Sequence, residues 1–151
     1  MADQLETILS EGLDALSLPY TDDTLHRFRL FYTLLSERSQ QMNLTAISGE
    51  ADVARLHMLD CAAILPLVSF TGKRVLDVGS GAGFPGLVLK LLCPDLSLTL
   101  LDSTQKRVQS LGKDRFELFG HGDLRNVDFG CGYHSTFSAF CEVKLDVFQK
   151  L

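Results

Sequence analysis

The fold of this chain is decided by the stretch VLDVGSGAGFPG, residues 75–86. An apolar run that contains Asp77 is followed by three glycines at alternate positions, 79, 81 and 83, and then by a second apolar run. Glycine is needed where the backbone adopts positive φ or where a ligand approaches the main chain. The pattern therefore predicts a strand, a tight turn and a helix start, which together form a socket for a nucleotide-like ligand.

A second apolar segment, residues 96–101, predicts a neighbouring strand that ends at Asp102. A carboxylate at that place can accept hydrogen bonds from both hydroxyls of a ribose, and we expect this role. A different interpretation is that Asp102 caps the helix that begins near Thr104, or is a solvated acid. Asp77 has two compatible interpretations: it lies beside the ligand, or it anchors the glycine turn through backbone N–H groups.

Two cofactors compete for this turn. The later frame, GAGFPG at residues 81–86, has the spacing of a dinucleotide fingerprint and would indicate an NAD-dependent oxidoreductase. The earlier frame, DVGSGAG at residues 77–83, resembles the first motif of S-adenosylmethionine-dependent methyltransferases. Asp77 would repel a pyrophosphate but suits the ammonium or sulfonium of the methyl donor. The residues therefore favour S-adenosylmethionine.

Flanking motifs narrow the resemblance to one family. They are NLTAI (residues 43–47), RLHMLDC (55–61), GSGAGFPG (79–86) and LDS (101–103), the last followed by Lys106 and Arg107. In this order and at this spacing they resemble the bacterial ribosomal RNA small-subunit methyltransferase G family, also called glucose-inhibited division protein B. The resemblance covers about residues 25–109. Cys61 departs from it, because the family usually has Ser there.

The resemblance implies an α/β fold with an incomplete Rossmann-like sheet of the class I methyltransferases and an N-terminal helical extension. It implies methyl transfer from S-adenosylmethionine to N7 of one guanine in the 16S rRNA of the small ribosomal subunit, in the cytoplasm. We expect a monomer. The cofactor would contact nine residues: Asp77, Gly79, Ser80, Gly81, Ala82, Gly83, Phe84, Asp102 and Ser103. Four residues are candidates for binding the substrate: Asn43, Arg55, His57 and Asp60.

No general base is assigned. His57 and Asp60 lie three positions apart on one face of a predicted helix, but guanine N7 already presents a lone pair and carries no proton. Methylation at N7 therefore needs in-line positioning and exclusion of water more than acid–base chemistry. We interpret His57 and Asp60 as structural or substrate-orienting, and Asn43 as a base contact or a turn cap.

Composition limits the other function classes. The 151 residues, 46% hydrophobic and 22% charged, are typical of one soluble globular domain. The sequence has neither a long apolar stretch nor a signal-like start, so we expect no membrane span. Its four cysteines show no CxxC pair and no zinc spacing, so we expect no metal.

The net charge of −5 argues against a strong sequence-independent affinity for nucleic acid. An RNA substrate then requires a local basic surface. The candidates are Arg27, Arg29, Arg38, Arg55, Lys73, Arg74, Lys106 and Arg107. Most of them, taken one at a time, could equally be solubilising charges on exposed helix faces.

Periodicity divides the chain into three parts. Residues 1–70 are predicted to be an N-terminal helical region with helices at about 5–16, 21–37 and 50–65. Residues 71–109 are predicted to be the βαβα core that binds S-adenosylmethionine. Residues 110–151 are predicted to be a divergent tail, frame-shifted or poorly ordered, because their glycines and phenylalanines follow no persistent period.

In this tail we find no counterpart to the long helix and third strand with which the family would continue. The cofactor half of the site is then expected to be present without the substrate half. Weak donor binding and little or no catalysis would follow. An inactive methyltransferase-like remnant or a partner-binding protein remains the alternative to an active enzyme.

Overall fold

The computed structural model describes residues 3–42, 49–123 and 127–131. The first part is helical and consists of α1 (Gln4–Ala15), α2 (Asp22–Met42), α3 (Glu50–Val53), a π-helical segment (Ala54–Leu59) and α4 (Asp60–Ala62). Strands and helices then alternate as β1 (Arg74–Val78), α5 (Gly86–Leu92), β2 (Ser97–Asp102), α6 (Gln105–Asp123) and β3 (Val127–Cys131). The described residues thus form a mixed α/β structure with N-terminal helices, as predicted.

Capping side chains determine where α1 and α2 begin. The carboxylate of Asp3 accepts the backbone N–H of Leu5 at 3.0 Å. Thr21 and Thr24 form a reciprocal pair in which each hydroxyl accepts the other's backbone N–H at 3.2 Å. The predicted start of α2 is confirmed, and the helix continues to Met42, past its predicted end near residue 37.

The helices pack through the apolar stripes that the sequence predicts. The stripe residues with at most 1% exposure are Leu5, Leu9, Leu13, Phe28, Phe31 and Leu35. Gly12 lies where α1 meets the π-helical segment, and a Cβ at this position would lie 2.3 Å from Leu59 Cδ1. A side chain at residue 12 would therefore force the Leu59 side chain to shift.

The predicted third helix differs from expectation in its middle. Residues 50–62 are helical, but Ala54–Leu59 adopts the wider π-helical turn. Such turns are rare and occur often at functional sites. This one carries two of the candidate substrate residues, Arg55 and His57.

The three strands form one parallel sheet in the order β1-β2-β3. In the register, Val78 pairs with Leu101, and Leu101 pairs with Gly130. The central strand β2 contributes buried Leu98 and Leu100 to the core. Because the strands are parallel, the carboxyl ends of β1 and β2 lie side by side, where an open α/β sheet binds its ligands.

The structure corrects the prediction for residues that follow position 109. α6 continues to Asp123 and β3 adds a third strand, the two elements for which the sequence analysis found no counterpart. Leu111 and Leu118 are buried at helical spacing. Gly112 had suggested a broken pattern, but a glycine inside a helix costs only about 1 kcal/mol relative to alanine. Residues 132–151 lie outside the described residues, so for them the divergent tail stays a prediction.

Candidate functional site

The glycine turn joins β1 to α5 at the carboxyl edge of the sheet. Gly79, Gly81 and Gly83 have φ angles of 78°, 53° and 104°, a region that favours glycine. The N–H groups of Gly79 and Ser80 donate to the carbonyl of Leu101 at 2.7 and 3.1 Å, so the turn folds over the end of β2. A Cβ at Gly81 would meet only the Gly79 carbonyl, at 3.7 Å. The backbone at Gly81 is therefore open to a ligand.

Asp102 ends β2 next to this turn. Its Oδ2 accepts the N–H of Gly81 at 2.9 Å, and its Oδ1 accepts the N–H of Thr104 at 2.8 Å. The Asp102 side chain is 4% exposed, and Arg107 Nη1 lies 3.9 Å from Oδ1. Thr104 directly precedes α6, so Asp102 supports the entry to that helix from two residues away and does not itself occupy the N-cap position. This structural role is close to the capping interpretation. It is compatible with ribose binding, because a carboxylate accepts about four hydrogen bonds and these two leave one lone pair on each oxygen.

Asp77 lies in β1 behind the turn. Its Oδ2 accepts the N–H of Gly86, the first residue of α5, at 3.0 Å. Burial raises the pKa of Asp77 to about 6; the Gly86 hydrogen bond opposes this shift, and the negative charge of Asp102 adds to it. The anchoring role is thus observed, although it is directed at the start of α5. A cationic ligand beside Asp77 would favour its ionised form.

Phe84 connects the turn with the helical region. Its ring stacks on the imidazole of His57, with centroids 4.8 Å apart and planes at 16°. It also packs against Phe31 of α2 at 5.1 Å. The Phe84–Pro85 peptide is cis, and α5 begins at Gly86, directly after it. The side chains of His57 and Phe31 therefore hold Phe84, and Phe84 connects them to the glycine turn.

Gly86 is a position of close approach that the sequence analysis did not single out. A Cβ there would lie 2.6 Å from Leu100 Cδ2 and 2.8 Å from Asp77 Oδ2. A side chain at residue 86 would therefore force the side chains of Leu100 and Asp77 to shift where α5 packs on the sheet. The glycine-rich pattern was the available signal, because the third glycine of such a motif serves close helix–strand packing.

Cys61 lies near the carboxylates of Asp60 and Asp77. Burial raises the pKa of its thiol to about 11, and the charges of Asp60 and Asp77 add to the shift. The thiol is protonated at neutral pH, so it lacks the thiolate character of a nucleophile. The electrostatic contact also indicates that the end of the helical region approaches β1.

The structure brings most of the predicted site residues together. The predicted cofactor residues of the turn and of β2 are adjacent, and Ser103 follows exposed at the end of β2. His57 contacts Phe84, which is one of the predicted cofactor residues. Arg55 and Asp60 are exposed. Asn43 lies outside the described residues. The substrate assignments therefore stay predictions.

The basic residues do not form one surface. Arg38 was a candidate for RNA contact, but only 6% of it is exposed and its Nε lies 2.6 Å from Asp114 Oδ2. Arg27 pairs with Asp23 at 2.7 Å, and Arg29 pairs with Glu50 at 2.7 Å. The exposed candidates are Arg55, Lys73, Arg74 and Lys106. Lys73 and Arg74 lie at the amino end of β1, away from the glycine turn.

Arg38 and Asp114 are site-supporting residues that sequence reasoning missed. Arg38 Nη2 donates to the carbonyl of Ala82, within the glycine turn, at 3.4 Å. The signal was present, since Arg38 follows Phe31 and Leu35 on the buried stripe of α2, and Asp114 follows Leu111 on that of α6. We had assigned the arginine to the surface because of its charge alone.

Other features of the described structure lie apart from this site. A cavity of about 430 Å³ is lined by Leu18, Pro19 and residues 65–71 and 92–95, the last two segments lying at the amino ends of β1 and β2. Among residues 3–42, 49–123 and 127–131, no group of three or more His, Cys, Asp or Glu could hold a metal ion. Over those ranges, every helix is too short or too polar to cross a membrane.

Comparison with known proteins agrees with the motif resemblance. The family model described as rRNA small subunit methyltransferase G (GidB) matches residues 24–119. The ribosomal RNA small subunit methyltransferase G of Alkaliphilus oremlandii is 40% identical over 128 residues, covering 83% of this chain and 52% of the relative. Its counterpart from Acetivibrio thermocellus is 34% identical over 124 residues, covering 82% of this chain and 50% of the relative.

These matches extend beyond residue 109, where the sequence analysis ends the resemblance to the family. The chain spans about half the length of the curated relatives it matches. An alignment over 83% of 151 residues necessarily runs past position 109, and the family model itself reaches residue 119. The likeness therefore extends into the part of α6 after residue 109, which the sequence analysis assigns to the divergent tail. This chain belongs to the ribosomal RNA small subunit methyltransferase G family.

Proposed function

We propose that this chain binds S-adenosylmethionine at the glycine turn and contributes the donor half of a methyltransferase that acts on N7 of a guanine in 16S rRNA. Its three parallel strands would be part of a Rossmann-like class I methyltransferase sheet. The observation that carries the proposal is the contact between the Asp102 carboxylate and the Gly81 N–H at the carboxyl ends of β1 and β2. Family membership supports the choice of donor and substrate.

The residues present fit an adenosine. The open backbone at Gly81 allows a flat ligand to approach the turn without meeting a side chain. Asp102 offers two remaining lone pairs for the two ribose hydroxyls. Ser103 is exposed directly after Asp102, so it can contact the adenine or ribose edge.

The acid at Asp77 fits the amino-acid part of the donor. The partly buried carboxylate of Asp77, whose pKa is raised, would be stabilised in its charged form by a nearby cation, such as the ammonium or sulfonium of S-adenosylmethionine. The same residue disfavours the dinucleotide alternative, because its carboxylate already accepts the Gly86 N–H at the start of α5. A pyrophosphate directed at that helix start would meet a negative charge.

The chain's own residues would contribute orientation and exclusion of water. S-adenosylmethionine, when bound, supplies an electrophilic methyl group on a sulfonium. Guanine N7 carries a lone pair and no proton, so the chain needs no base at the reacting atom. Asp102 and the turn would hold the donor, and the stacked His57 and Phe84 would keep the turn in place. Alignment of the reacting atoms at about 3–3.5 Å can contribute several kcal/mol to the rate.

The RNA phosphates would contact the exposed basic residues on the site side of the sheet. Lys106 stands on the first turn of α6, which follows Asp102, and Arg55 stands on the segment that carries His57. Lys73 and Arg74 lie at the opposite end of β1 and are not expected to contribute. A small local patch of this kind suits a substrate already shaped by the ribosome, given the chain's net charge of −5.

Cofactor titration tests the donor assignment. S-adenosylhomocysteine should raise the melting temperature of the chain in a concentration-dependent way, whereas NAD should leave it unchanged. Stabilisation by NAD alone would indicate the oxidoreductase alternative. Transfer of labelled methyl groups to undermethylated small subunits then tests the reaction. Donor binding without transfer would indicate that this chain alone lacks the substrate half.

A further inference from the structure

The guanidinium of Arg38 connects three elements behind the glycine turn. Its Nε donates to the carbonyl of Leu34 at 3.3 Å, within α2. The same nitrogen lies 2.6 Å from Asp114 Oδ2 of α6. Nη2 donates to the carbonyl of Ala82, in the middle of the glycine turn, at 3.4 Å. Arg38 is therefore a side chain of the helical region that touches the turn backbone directly.

This cluster is buried. The Arg38 and Asp114 side chains are 7% and 10% exposed. Burial lowers the pKa of Arg38, and the charge of Asp114 opposes that shift. Removing one member of a buried ion pair leaves an uncompensated charge and is strongly destabilising, whereas replacing both by apolar residues is often neutral. Stability alone therefore does not explain why an arginine occupies this place, but the contact with Ala82 does.

We propose that Arg38 is a positioning residue for the glycine turn: it holds the Ala82 carbonyl, Asp114 balances its charge, and α2 and α6 thereby become part of the donor site. The backbone N–H groups of Gly79, Ser80 and Gly83 are already hydrogen-bonded within the protein. Three glycines with positive φ nevertheless give the turn access to more backbone conformations than other residues would. The hydrogen bond from the Arg38 guanidinium to Ala82 limits that freedom, and the backbone at Gly81 stays open to a ligand. As a positioning role for donor binding, this inference rests on the proposed function. The effect on the turn itself does not require the ligand.

The test uses the full chain with both charges removed together, in the variant Arg38→Met with Asp114→Val. Hydrogen exchange of the Gly81 and Gly83 amides is measured without ligand, and S-adenosylhomocysteine affinity is measured by calorimetry. We expect a melting temperature close to that of the wild type, exchange at both glycines faster by about tenfold, and affinity weaker by a similar factor. Unchanged exchange in a variant of normal stability would overturn the proposal.

Two further variants keep the test decisive. Arg38→Lys retains a charge opposite Asp114, but its single ammonium cannot also reach Ala82 in the geometry of a guanidinium. The proposal predicts faster exchange at Gly83 in this variant, whereas a role limited to charge balance predicts wild-type exchange. Arg27→Met removes an arginine from the same helix that pairs with Asp23, and exchange in the turn should stay unchanged.

The two readouts also separate this inference from the proposed function. If the wild type fails to bind S-adenosylhomocysteine while the Arg38→Met/Asp114→Val variant still shows faster exchange at Gly81 and Gly83, the donor assignment is wrong and the positioning of the turn stands. If the wild type binds and the variant matches it in both exchange and affinity, the donor assignment stands and the positioning role is wrong.

Discussion

The imidazole of His57 stacks on the ring of Phe84, with centroids 4.8 Å apart and planes at 16°. Phe84 also packs on Phe31, which is fully buried in α2. Because Phe84 directly follows Gly83, this cluster of three rings connects the π-helical segment and α2 with the glycine turn. This packing supports the structural interpretation of His57, and its contact with RNA stays a prediction.

Substitution of His57 distinguishes that role from substrate contact. His57→Phe should keep the stack and bind S-adenosylhomocysteine within about twofold of the wild type. His57→Ala should weaken binding by about 0.5–1.5 kcal/mol, the usual value of an aromatic pair. Calorimetry on both variants measures this difference. Equal affinities in both variants, with methyl transfer lost in both, would instead identify His57 as a substrate residue.

Close packing at Gly86 predicts a steric effect on stability. Gly86→Ala places a Cβ 2.6 Å from Leu100 Cδ2, and we expect the free energy of unfolding to fall by about 1–3 kcal/mol. Gly112→Ala is the matched control, because a Cβ in that part of α6 meets nothing within 4 Å. There the exchange of glycine for a better helix former should raise stability by about 0.5–1 kcal/mol. Urea unfolding of both variants checks the opposite signs.

The partly buried Asp77 predicts a dependence of folding stability on pH. Its pKa is raised to about 6 from an ordinary value of 3.8, so between these pH values the folded state binds more protons than the unfolded state. The contribution of Asp77 is therefore most favourable below pH 3.8 and is lost as the pH rises through 6.

The comparison with Asp77→Asn isolates this contribution, because asparagine keeps an acceptor for the Gly86 N–H. From pH 4 to pH 7 the wild type should lose on the order of 1–2 kcal/mol of unfolding free energy relative to the variant, after allowance for partial exposure. Denaturant unfolding at several pH values measures it. A difference between the two proteins that stays constant with pH would contradict the raised pKa.

The division of the basic residues predicts which of them contact RNA. Arg55→Gln with Lys106→Gln should lower the affinity for small subunits. The slope of log affinity against log salt concentration should also fall by the amount expected for about two lost phosphate contacts. Lys73→Gln with Arg74→Gln removes the same charge at the other end of β1 and should have little effect. Titrations at several salt concentrations compare the two pairs. A larger effect of the second pair would place the RNA on the other edge of the sheet.

Local patterns in the sequence predicted the glycine turn, the adjacent parallel strands and the starts of α1 and α2. Each of these depends on a few neighbouring residues, such as Thr21 and Thr24 at the start of α2. The role of Asp77 in anchoring backbone N–H groups was also foreseen as one interpretation. For Asp102 only a place at the start of the next helix was foreseen, and its hydrogen bond to Gly81 was not. In the structure Asp102 accepts the N–H of Gly81, and Asp77 accepts the N–H of Gly86.

What could not be predicted depends on contacts between distant segments. Arg38 was assigned to the surface because isolated charges are usually solvated, yet Asp114 and Ala82 provide partners inside the structure. α6 was ended too early because its glycines weaken helix propensity, although burial of Leu111 and Leu118 offsets that cost. The π-helical turn at Ala54–Leu59 leaves no sequence signal that we recognised.

The central claim is that Asp102 binds the ribose of the donor, and a calorimetric cycle tests it most directly. S-adenosylhomocysteine and its 2′-deoxy analogue are titrated into the wild type and into Asp102→Ala, with exposed Asp95→Asn as a control. We predict that the wild type binds the deoxy analogue more weakly, and that Asp102→Ala weakens the parent ligand by on the order of 2–4 kcal/mol. The variant should no longer distinguish the two ligands. Equal discrimination by the wild type and by Asp102→Ala would contradict the account.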